Sequence, residues 1–449
     1  MKLNFRFALL LSLFTTLCTT LSAQYISTSY FMENSWQSNM LNPAFTPEQG
    51  YVLIPVLGGT GVNVGSNSLS VDKLFYSNPN GSGLVSFLDV DIDKSILLNS
   101  ISDNNNVYAD FSTTIFGVGF YSDSNIFWTF GSNLKAGSSV SLPRGIFEFA
   151  KLSRSDNTYD LQGLNASLNC YLENYVGASM KIGDFNVGAK VKVLLGILDA
   201  SVQFDDMTVV LDGSEWSITS NGQFAATAAG LYLSDELSDF SFDNIEYSPE
   251  FKTSGFGLGV DLGGSYDVLD DLTVSMSVTD FGFIRWSGES TVAAQSSGSY
   301  IYKGVNFSDS DADVDAFDVD DILQFENANS DNRTKSLSTT FNAAGEYRLA
   351  DDKVAAGLLY SARLRSGYTQ HEVTAVASLR PANWVTANVS YSAISSTVGA
   401  ALNLHPSWIN LFLGMDYVTS VLSVTPQYIP MSAKNINFYF GVGIPILKD

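Results

Sequence analysis

Residues 385–393 read Val-Thr-Ala-Asn-Val-Ser-Tyr-Ser-Ala, with an apolar or aromatic residue at every odd position and a polar residue at every even one. Residues 436–444 read Ile-Asn-Phe-Tyr-Phe-Gly-Val-Gly-Ile and repeat the same period of two. Successive side chains of a β-strand point to opposite faces, so each stretch predicts a strand with one apolar face and one mixed face. These two stretches indicate an antiparallel β-protein.

The same alternation recurs along most of the chain and predicts about fourteen strands. They fall near 107–121, 125–137, 160–173, 175–183, 185–200, 253–267, 271–282, 335–350, 353–366, 369–380, 384–394, 397–405, 409–417 and 435–445. Residues 51–57 and 60–71 predict a further pair, which would raise the number of strands to sixteen. Beyond the N-terminus, no apolar run reaches the ~18 residues that a membrane-spanning helix requires.

Long alternating hairpins suit a soluble β-sandwich as well as a membrane barrel. Two features favour the barrel: many strands exceed the usual five or six residues, and their second face mixes small and charged residues. With both termini in the periplasm, the long connections 201–252, 283–334 and 418–434 lie outside. The connection 138–159, predicted to hold a short helix after Pro143, then lies on the periplasmic side. The predicted fold class is therefore all-β, an antiparallel transmembrane β-barrel.

The first 23 residues have the layout of a secretory signal peptide. Lys2 and Arg6 precede an apolar run at 7–13, and small or polar residues follow through Ala23. A lipoprotein signal would need a small residue before Cys18, where Leu17 stands. Export and a barrel together predict the outer membrane of a Gram-negative bacterium.

The charge of the chain excludes one class of partner. The 449 residues include 23 basic and 46 acidic side chains, a net charge of −23, which would repel nucleic acid. Residues 201–251 hold ten acidic side chains and no basic one, so acidic outer loops are predicted. Within 309–321, Asp309, Asp311, Asp313 and Asp315 predict either a solvated acidic loop or a weak calcium site shared with lipopolysaccharide phosphates.

Charged residues also occur within the predicted strands, on the parity that faces the lumen. They are Lys181, Lys190, Lys192, Asp261, Glu346, Arg348, Arg363, Arg365, Glu372 and Arg380. Two interpretations remain open for this set. It forms either a network of salt bridges that braces the barrel or a basic constriction that selects anions.

Recognisable catalytic motifs are missing from the sequence. It holds two histidines, His371 and His405, and no nucleophile elbow, zinc spacing, phosphate loop or dinucleotide fingerprint. We therefore expect no enzymatic activity and no cofactor apart from the calcium considered above.

Several segments resemble known barrel families. Asn42-Pro43-Ala44, which follows Tyr30-Phe31-Met32-Glu33, resembles a segment near the start of FadL-type barrels, the superfamily that includes the PorV-like proteins of Bacteroidota. Residues 87–92, 142–149 and 191–198 resemble a Bacteroidota barrel family known only as a domain of unknown function. The FadL resemblance implies that an N-terminal segment folds into the barrel as a plug and that small apolar molecules cross it.

Together these features predict a signal peptide at 1–23, a plug and lead-in segment at 24–106, and a barrel at 107–449. The leading functional hypothesis is a monomer that moves or binds a small or apolar molecule across the outer membrane. The alternatives are a PorV-like scaffold for secretion or gliding machinery and a soluble exported glycan-binding protein. The expected partners are outer-membrane lipid, lipopolysaccharide, the barrel-assembly machinery and, for the scaffold, secretion-system components.

Overall fold

The computed structural model describes residues 26–81, 83–152, 157–212, 215–234, 240–302, 323–365, 368–419 and 435–446. Within these ranges the chain forms 24 strands. They are β1 (Gly50–Leu53), β2 (Thr60–Ser66), β3 (Phe75–Ser77), β4 (Leu84–Ser86), β5 (Asn104–Tyr121), β6 (Phe127–Pro143), β7 (Asn157–Asp160), β8 (Asn165–Ile182), β9 (Phe185–Asp212), β10 (Glu215–Ala228), β11 (Leu231–Leu233), β12 (Ile245–Tyr247), β13 (Gly255–Leu269), β14 (Leu272–Trp286), β15 (Thr291–Tyr302), β16 (Glu326–Asn327), β17 (Arg333–Ser336), β18 (Thr340–Leu349), β19 (Val354–Arg365), β20 (Tyr368–Ala382), β21 (Val385–Ser392), β22 (Thr397–Leu404), β23 (Asn410–Thr419) and β24 (Asn435–Ile446).

The helices of the described residues are short. The α-helices are α1 (Trp36–Leu41), α2 (Val71–Leu74), α3 (Lys94–Leu98) and α4 (Arg144–Leu152), and 3-10 turns occur at Ser27–Ser29, Phe242–Asn244 and Gly288–Ser290. The helix predicted after Pro143 is confirmed by α4. In the described part of the chain, no helix is long and apolar enough to cross a membrane.

The strands close into an antiparallel barrel with fourteen positions in its wall. The order around the wall is β1 with β2, then β5, β6, β8, β9, β13, β14, β17 with β18, and β19 to β24. Closure occurs at the first position, because β1 and β2 each pair with β5 on one side and with β24 on the other. The predicted fold class and strand number are confirmed, and closure leaves no open edge along the wall.

Two strand predictions were wrong, and the errors cancel in the total. Residues 160–173 and 175–183 were predicted as two strands, but β8 runs through both of them from Asn165 to Ile182. Glu173 is an inward side chain of a continuous strand rather than the end of one. Residues 51–57 and 60–71 were predicted as an extra hairpin, but β1 and β2 form a single wall position interrupted at 54–59.

The continuity of β8 also changes which connections share an end of the barrel. The strand ends that border connections 67–103, 144–164, 213–254 and 287–332 lie at one end of the barrel, which we call the long-loop end. Connections 122–126, 183–184, 270–271, 350–353, 383–384 and 405–409 lie at the other, the short-turn end. The prediction that 138–159 lies with the short turns is therefore wrong. In outer-membrane barrels the short turns are periplasmic.

The outside of the wall is apolar and the inside is polar, the reverse of a soluble protein. On β9, Val191 is 53% exposed, whereas its neighbour Lys192 is 1% exposed. Exposed Phe256 and Leu258 on β13 continue this outer apolar surface. Such a surface costs free energy in water and is stabilised by lipid, so it is typical of a transmembrane barrel.

Residues predicted as outer loops within 201–252 and 283–334 instead extend the sheet. Strand β9 continues to Asp212 and pairs with β10, which pairs with β15, and β15 pairs with β16. We call β10, β15, β16 and residues 198–212 of β9 the extension sheet. Its hydrophobic core includes Phe204, Val209 and Ile218, packed with Phe240 and Phe325. These alternating apolar residues explain why the segment folds despite its acidic composition.

Candidate functional site

Residues 26–49, which we call the N-terminal segment, bond to wall strands all around the barrel. The wall donors to its main-chain oxygens are Ser179 on β8, Lys190 on β9, Ser277 on β14, Asn342 on β18, Arg380 on β20, Asn388 on β21, Asn403 on β22 and Asn410 on β23. Only the inner surface of a barrel offers donors from eight different wall positions to one short segment. The backbone oxygens of the N-terminal segment are thereby satisfied by inward side chains.

The Asn42-Pro43-Ala44 motif accounts for several of these contacts. The Asn42 side chain donates to the Tyr30 hydroxyl at 3.1 Å and accepts from the backbone N–H of Ala44 at 3.0 Å. The carbonyl of Pro43 accepts from Ser179 Oγ at 2.6 Å. A Cβ atom at Gly188 would lie 2.2 Å from that carbonyl oxygen, so glycine on β9 permits the close approach.

The other side of the N-terminal segment is apolar. Trp36 is fully buried and packs with Tyr51, Leu53, Phe412 and Tyr439 on the inner surface near the first wall position. Its ring centroid lies 6.2 Å from that of Tyr51 and 6.5 Å from that of Phe412. Burying an aromatic side chain of this size anchors the segment more strongly than any single hydrogen bond.

Deep in the barrel, five side chains from five strands form what we call the central cluster: Lys135, Glu173, Lys192, Asp261 and Asp280. Lys192 Nζ lies 2.6 Å from Asp280 Oδ1, 2.7 Å from Asp261 Oδ1 and 3.2 Å from Glu173 Oε2. Lys135 Nζ lies 2.7 Å from Glu173 Oε2 and 3.0 Å from Asp280 Oδ1. All five side chains are at least 96% buried. Removing any one of these charges would leave a buried charge with fewer partners and little water to compensate it.

Lys190 adds a third cation beside the central cluster. Its Nζ donates to the Asn39 carbonyl at 2.8 Å and lies 5.4 Å from the ring centroid of Tyr175. With Lys190 included, three lysines face three carboxylates, so the region is balanced in charge. Lys190 therefore links the central cluster to the N-terminal segment.

A second ion pair crosses the interior. The Arg365 guanidinium on β19 binds the Asp110 carboxylate on β5 through its two terminal nitrogens, Nη1 at 3.1 Å and Nη2 at 2.6 Å. It also stacks on Tyr108, with its central carbon 3.9 Å from the ring centroid. Arg363 Nη1 lies 3.4 Å from the same carboxylate. Strands β5 and β19 stand on opposite sides of the wall, so this bidentate pair spans the lumen.

A third group, which we call the upper cluster, lies nearer the long-loop end. Asp199 on β9 accepts from Lys335 Nζ at 2.9 Å and from Arg333 Nη2 at 2.9 Å. Arg333 also donates to Thr227 Oγ1 at 2.7 Å and to Ser201 Oγ at 3.3 Å. The Asp199 side chain is 1% exposed, whereas that of Lys335 is 35% exposed. Two cations share one carboxylate here, and solvent reaches both of them, Lys335 more than Arg333.

The remaining charges predicted to face the lumen lie toward the two ends. Near the short turns, Arg380 binds Glu346 at 2.8 Å and Glu33 of the N-terminal segment at 3.1 Å. Arg348 lies 3.9 Å from Glu346, and Lys181, with a side chain 61% exposed, pairs with Asp267 at 3.3 Å. Glu372 accepts from the backbone N–H groups of residues 394 and 395 at the opposite end.

A cavity of about 730 Å³ contacts all three charged groups. Asp280 of the central cluster, Asp110 with Arg363 and Arg365, and Asp199 with Lys335 line its wall. Between them, the inward hydroxyl and amide side chains of β6, β8 and β9 are Ser139, Asn165, Ser167, Asn169, Ser201 and Gln203. These residues lie in the halves of their strands nearest the long loops. Apolar side chains, among them Ile284, Trp286 and Leu337, line another part of the cavity, so its surface is mixed.

Parity placed ten charges on the lumen side, but Asp110, Lys135, Glu173, Asp199 and Asp280 were not among the predicted site residues. Asp110, Lys135 and Glu173 share the inward parity of their strands, so the pattern could have identified them. Asp199 and Asp280 lie on the opposite parity and face inward only because a register shift precedes or accompanies them, which the sequence pattern does not show. The predicted calcium ligands Asp309, Asp311, Asp313 and Asp315 lie outside the described residues. Among the described residues, no group of three or more acidic, histidine or cysteine side chains could hold a metal ion.

Solved structures with a similar chain path are barrels of low sequence identity. The deltaS2 mutant of the monoaromatic hydrocarbon channel TodX is 10% identical, covers 92% of this chain and 96% of its own, and gives a TM-score of 0.43. The monoaromatic hydrocarbon channel CymD is 11% identical, covers 92% and 94%, and gives 0.36. The translocator domain of the autotransporter NalP from Neisseria meningitidis is 10% identical, covers 88% and 87%, and gives 0.30.

Among curated proteins, no sequence matches this chain. A family model does match it across residues 43–416, from the Asn-Pro-Ala motif through most of the wall strands. The chain therefore belongs to the family of unknown function DUF5723.

Proposed function

We propose that this protein is an outer-membrane barrel that binds a small polar molecule in its interior and passes it across the membrane without catalysis. The observation that carries the proposal is a cavity of about 730 Å³, lined in part by charged, hydroxyl and amide side chains, inside a closed wall whose outer surface is apolar. Pockets of this size accommodate small molecules. Serine and amide side chains line it, and these groups can donate and accept hydrogen bonds with a polar solute.

An apolar cargo is less compatible with this interior. A hydrocarbon in the cavity would remove water from Ser167, Asn169 and the charged groups around them without replacing its hydrogen bonds. Each polar group left without a partner would cost about 1–3 kcal/mol. Trp286 and Leu337 add apolar contacts, but the charged and amide groups of the lining favour a molecule with polar groups over the purely apolar one implied by resemblance to FadL-type barrels.

We further propose that the N-terminal segment acts as a plug. Its bonds to Ser179 and Ser277, on the parts of β8 and β14 nearer the short turns, support this role. If the short-turn end is periplasmic, as in other barrels, the cavity is reached from outside and the segment blocks the periplasmic exit. Transport would then require the N-terminal segment to detach from the inward side chains of the wall.

Planar-bilayer conductance tests this proposal with the full chain and a variant lacking residues 24–49. We expect the full chain to insert and stay closed, and the deletion variant to conduct. A heat-dependent shift in electrophoretic mobility controls for folding of both proteins. A folded deletion variant that stays closed would contradict transport through this lumen.

A tethered variant covers the case in which the deletion prevents folding. Thr28 Oγ1 lies 2.5 Å from Ser390 Oγ on β21, so Thr28→Cys with Ser390→Cys, in a Cys170→Ser background, should form a disulfide. We expect this crosslink to form on oxidation and to prevent any spontaneous opening. Failure of the crosslink to form in a folded barrel would contradict the position of the segment.

The extension sheet favours a second candidate, a scaffold that docks a partner. It has its own hydrophobic core beyond the wall, and Tyr232 and Tyr247 on the adjoining β11 and β12 are exposed. Transport alone does not require such a structure. A scaffold would remain closed after the deletion and would lose its partner when this sheet is removed, which separates the two candidates.

A further inference from the structure

We propose that the end of the cavity beside the upper cluster binds a small hydroxyl-rich solute that carries a carboxylate. Sugar acids are the chemical class that fits this description. This inference rests on the proposed function and names its substrate class. It depends on the charge of the upper cluster and on the residues that line the cavity beside it.

The charge balance of the upper cluster depends on Asp199. This single carboxylate contacts two cations, Lys335 and Arg333, so the upper cluster carries one positive charge in excess. Lys335 lines the cavity, and its side chain is partly exposed to solvent. A carboxylate from a bound molecule would restore the balance and would form a charge-assisted hydrogen bond with Lys335.

The lining explains the preference for hydroxyl groups. Ser201 accepts from Arg333 at 3.3 Å on the same strand as Asp199, and Gln203 follows it toward the long loops with an exposed side chain. Ser139 and Ser167 lie 2.8 Å apart, Oγ to Oγ, on the neighbouring strands. A hydroxyl donates and accepts at once, as these side chains do, so a polyol can match them without leaving groups unpaired.

The other charged residues of the lining are less suited to the same role. Asp280 binds two lysines that are fully buried in the central cluster, and Asp110 is held by both nitrogens of Arg365. Arg363 and Arg365 also share one carboxylate, that of Asp110, but their side chains are only 13% and 5% exposed, whereas that of Lys335 is 35% exposed. The geometry points to Lys335 as the residue that selects the anion.

Isothermal titration of the detergent-solubilised full chain tests the inference. D-glucuronate is the probe, with D-glucose as its uncharged counterpart and acetate as an anion without hydroxyls. We expect glucuronate to bind at least about tenfold more tightly than either, which corresponds to one charge-assisted contact plus the hydroxyl contacts. Equal binding of glucose, or tighter binding of acetate, would overturn the proposed class.

Matched variants locate the site. Lys335→Gln should weaken glucuronate binding about tenfold while leaving glucose binding unchanged, and Lys335→Arg should restore it. Lys181→Gln makes the same substitution at the short-turn end, against Asp267, and should leave binding unchanged. A Lys335→Gln variant that binds glucuronate as tightly as the natural chain would contradict the assignment.

The two proposals fail separately. If the deletion variant conducts but no probe binds, the sugar-acid inference is wrong and the transport proposal stands. If glucuronate binds but the folded deletion variant stays closed, the site is real and the barrel is a binding protein. If neither occurs, both proposals are wrong.

Discussion

The central cluster and the upper cluster use the same side-chain types inside one barrel, yet they differ in balance and exposure. In the central cluster, Lys192 contacts three carboxylates, and every member is buried. In the upper cluster, one carboxylate, Asp199, contacts two cations, of which Lys335 is 35% exposed.

The difference distinguishes charged residues that stabilise the barrel from charged residues that a ligand can reach. A buried cluster whose charge Lys190 balances leaves little for a ligand to satisfy, and its loss is costly because little water can replace it. A cluster with one charge in excess and access to water costs less to disturb and can accept a partner. The two interpretations of the inward charges are therefore compatible, because the central cluster suits a bracing network and we propose anion selection for the upper cluster alone.

The largest effect is expected from Lys192→Gln. The variant would leave Asp261, Asp280 and Glu173 with Lys135 as the main cation, and an unpaired buried charge costs about 3–5 kcal/mol. We expect that loss in the free energy of unfolding, measured by urea titration of barrels folded into lipid vesicles. A loss below about 1 kcal/mol would show that the central cluster does not brace the barrel.

An intermediate effect is expected from Asp199→Asn. Arg333 and Lys335 would lose their carboxylate, but partial exposure lets water replace it, so the free energy of unfolding should fall by about 1–3 kcal/mol. Glucuronate should bind this variant more tightly, because its carboxylate takes the place of that of Asp199. Weaker glucuronate binding in a stable variant would contradict the excess of positive charge.

A smaller effect is expected from Asn42→Ala in the N-terminal segment. The variant loses the bonds to Tyr30 and to the backbone of residue 44 and the bond that holds the segment to the carbonyl oxygen of Met276 on β14, a cost of about 1–2 kcal/mol that falls mainly on the docking of the segment. Hydrogen exchange should accelerate in residues 26–49 and stay unchanged in the wall strands. Uniform acceleration across the barrel would indicate that the segment is a structural element of the wall.

The smallest effect is expected from Lys181→Gln. Its pair with Asp267 is exposed at the short-turn end, and such pairs contribute about 0–1 kcal/mol. The same urea titration should therefore give a free energy of unfolding close to that of the natural chain. A loss as large as that of Lys192→Gln would remove the distinction between buried and exposed charges on which the comparison depends.

The alternation of apolar and polar residues was sufficient to predict the barrel wall, because lipid and lumen impose opposite chemistry on successive side chains. It failed where a charge interrupted a strand pattern, as at Glu173, and where a wall position was assembled from two pieces, β1 and β2. It also missed the extension sheet, since acidic residues concealed the apolar alternation at Met207, Val209 and Leu211.

The site was harder to predict than the wall. Parity identified Lys190, Lys192 and Asp261 as inward, but their partners come from strands that are distant in sequence. The bond between Asp110 and Arg365 depends on two strands facing each other across the lumen, which no local pattern encodes. The position of the cavity and the charge balance of the clusters could therefore be determined only from the assembled barrel.

The most direct test of the account measures two quantities, the free energy of unfolding and the affinity for D-glucuronate, in Lys192→Gln and Lys335→Gln side by side. The account predicts that Lys192→Gln loses about 3–5 kcal/mol of stability. It predicts that Lys335→Gln loses about tenfold in affinity while its stability changes by no more than about 1 kcal/mol. If Lys335→Gln destabilises the barrel as much as Lys192→Gln and leaves affinity unchanged, the two clusters have the same role and the account is contradicted.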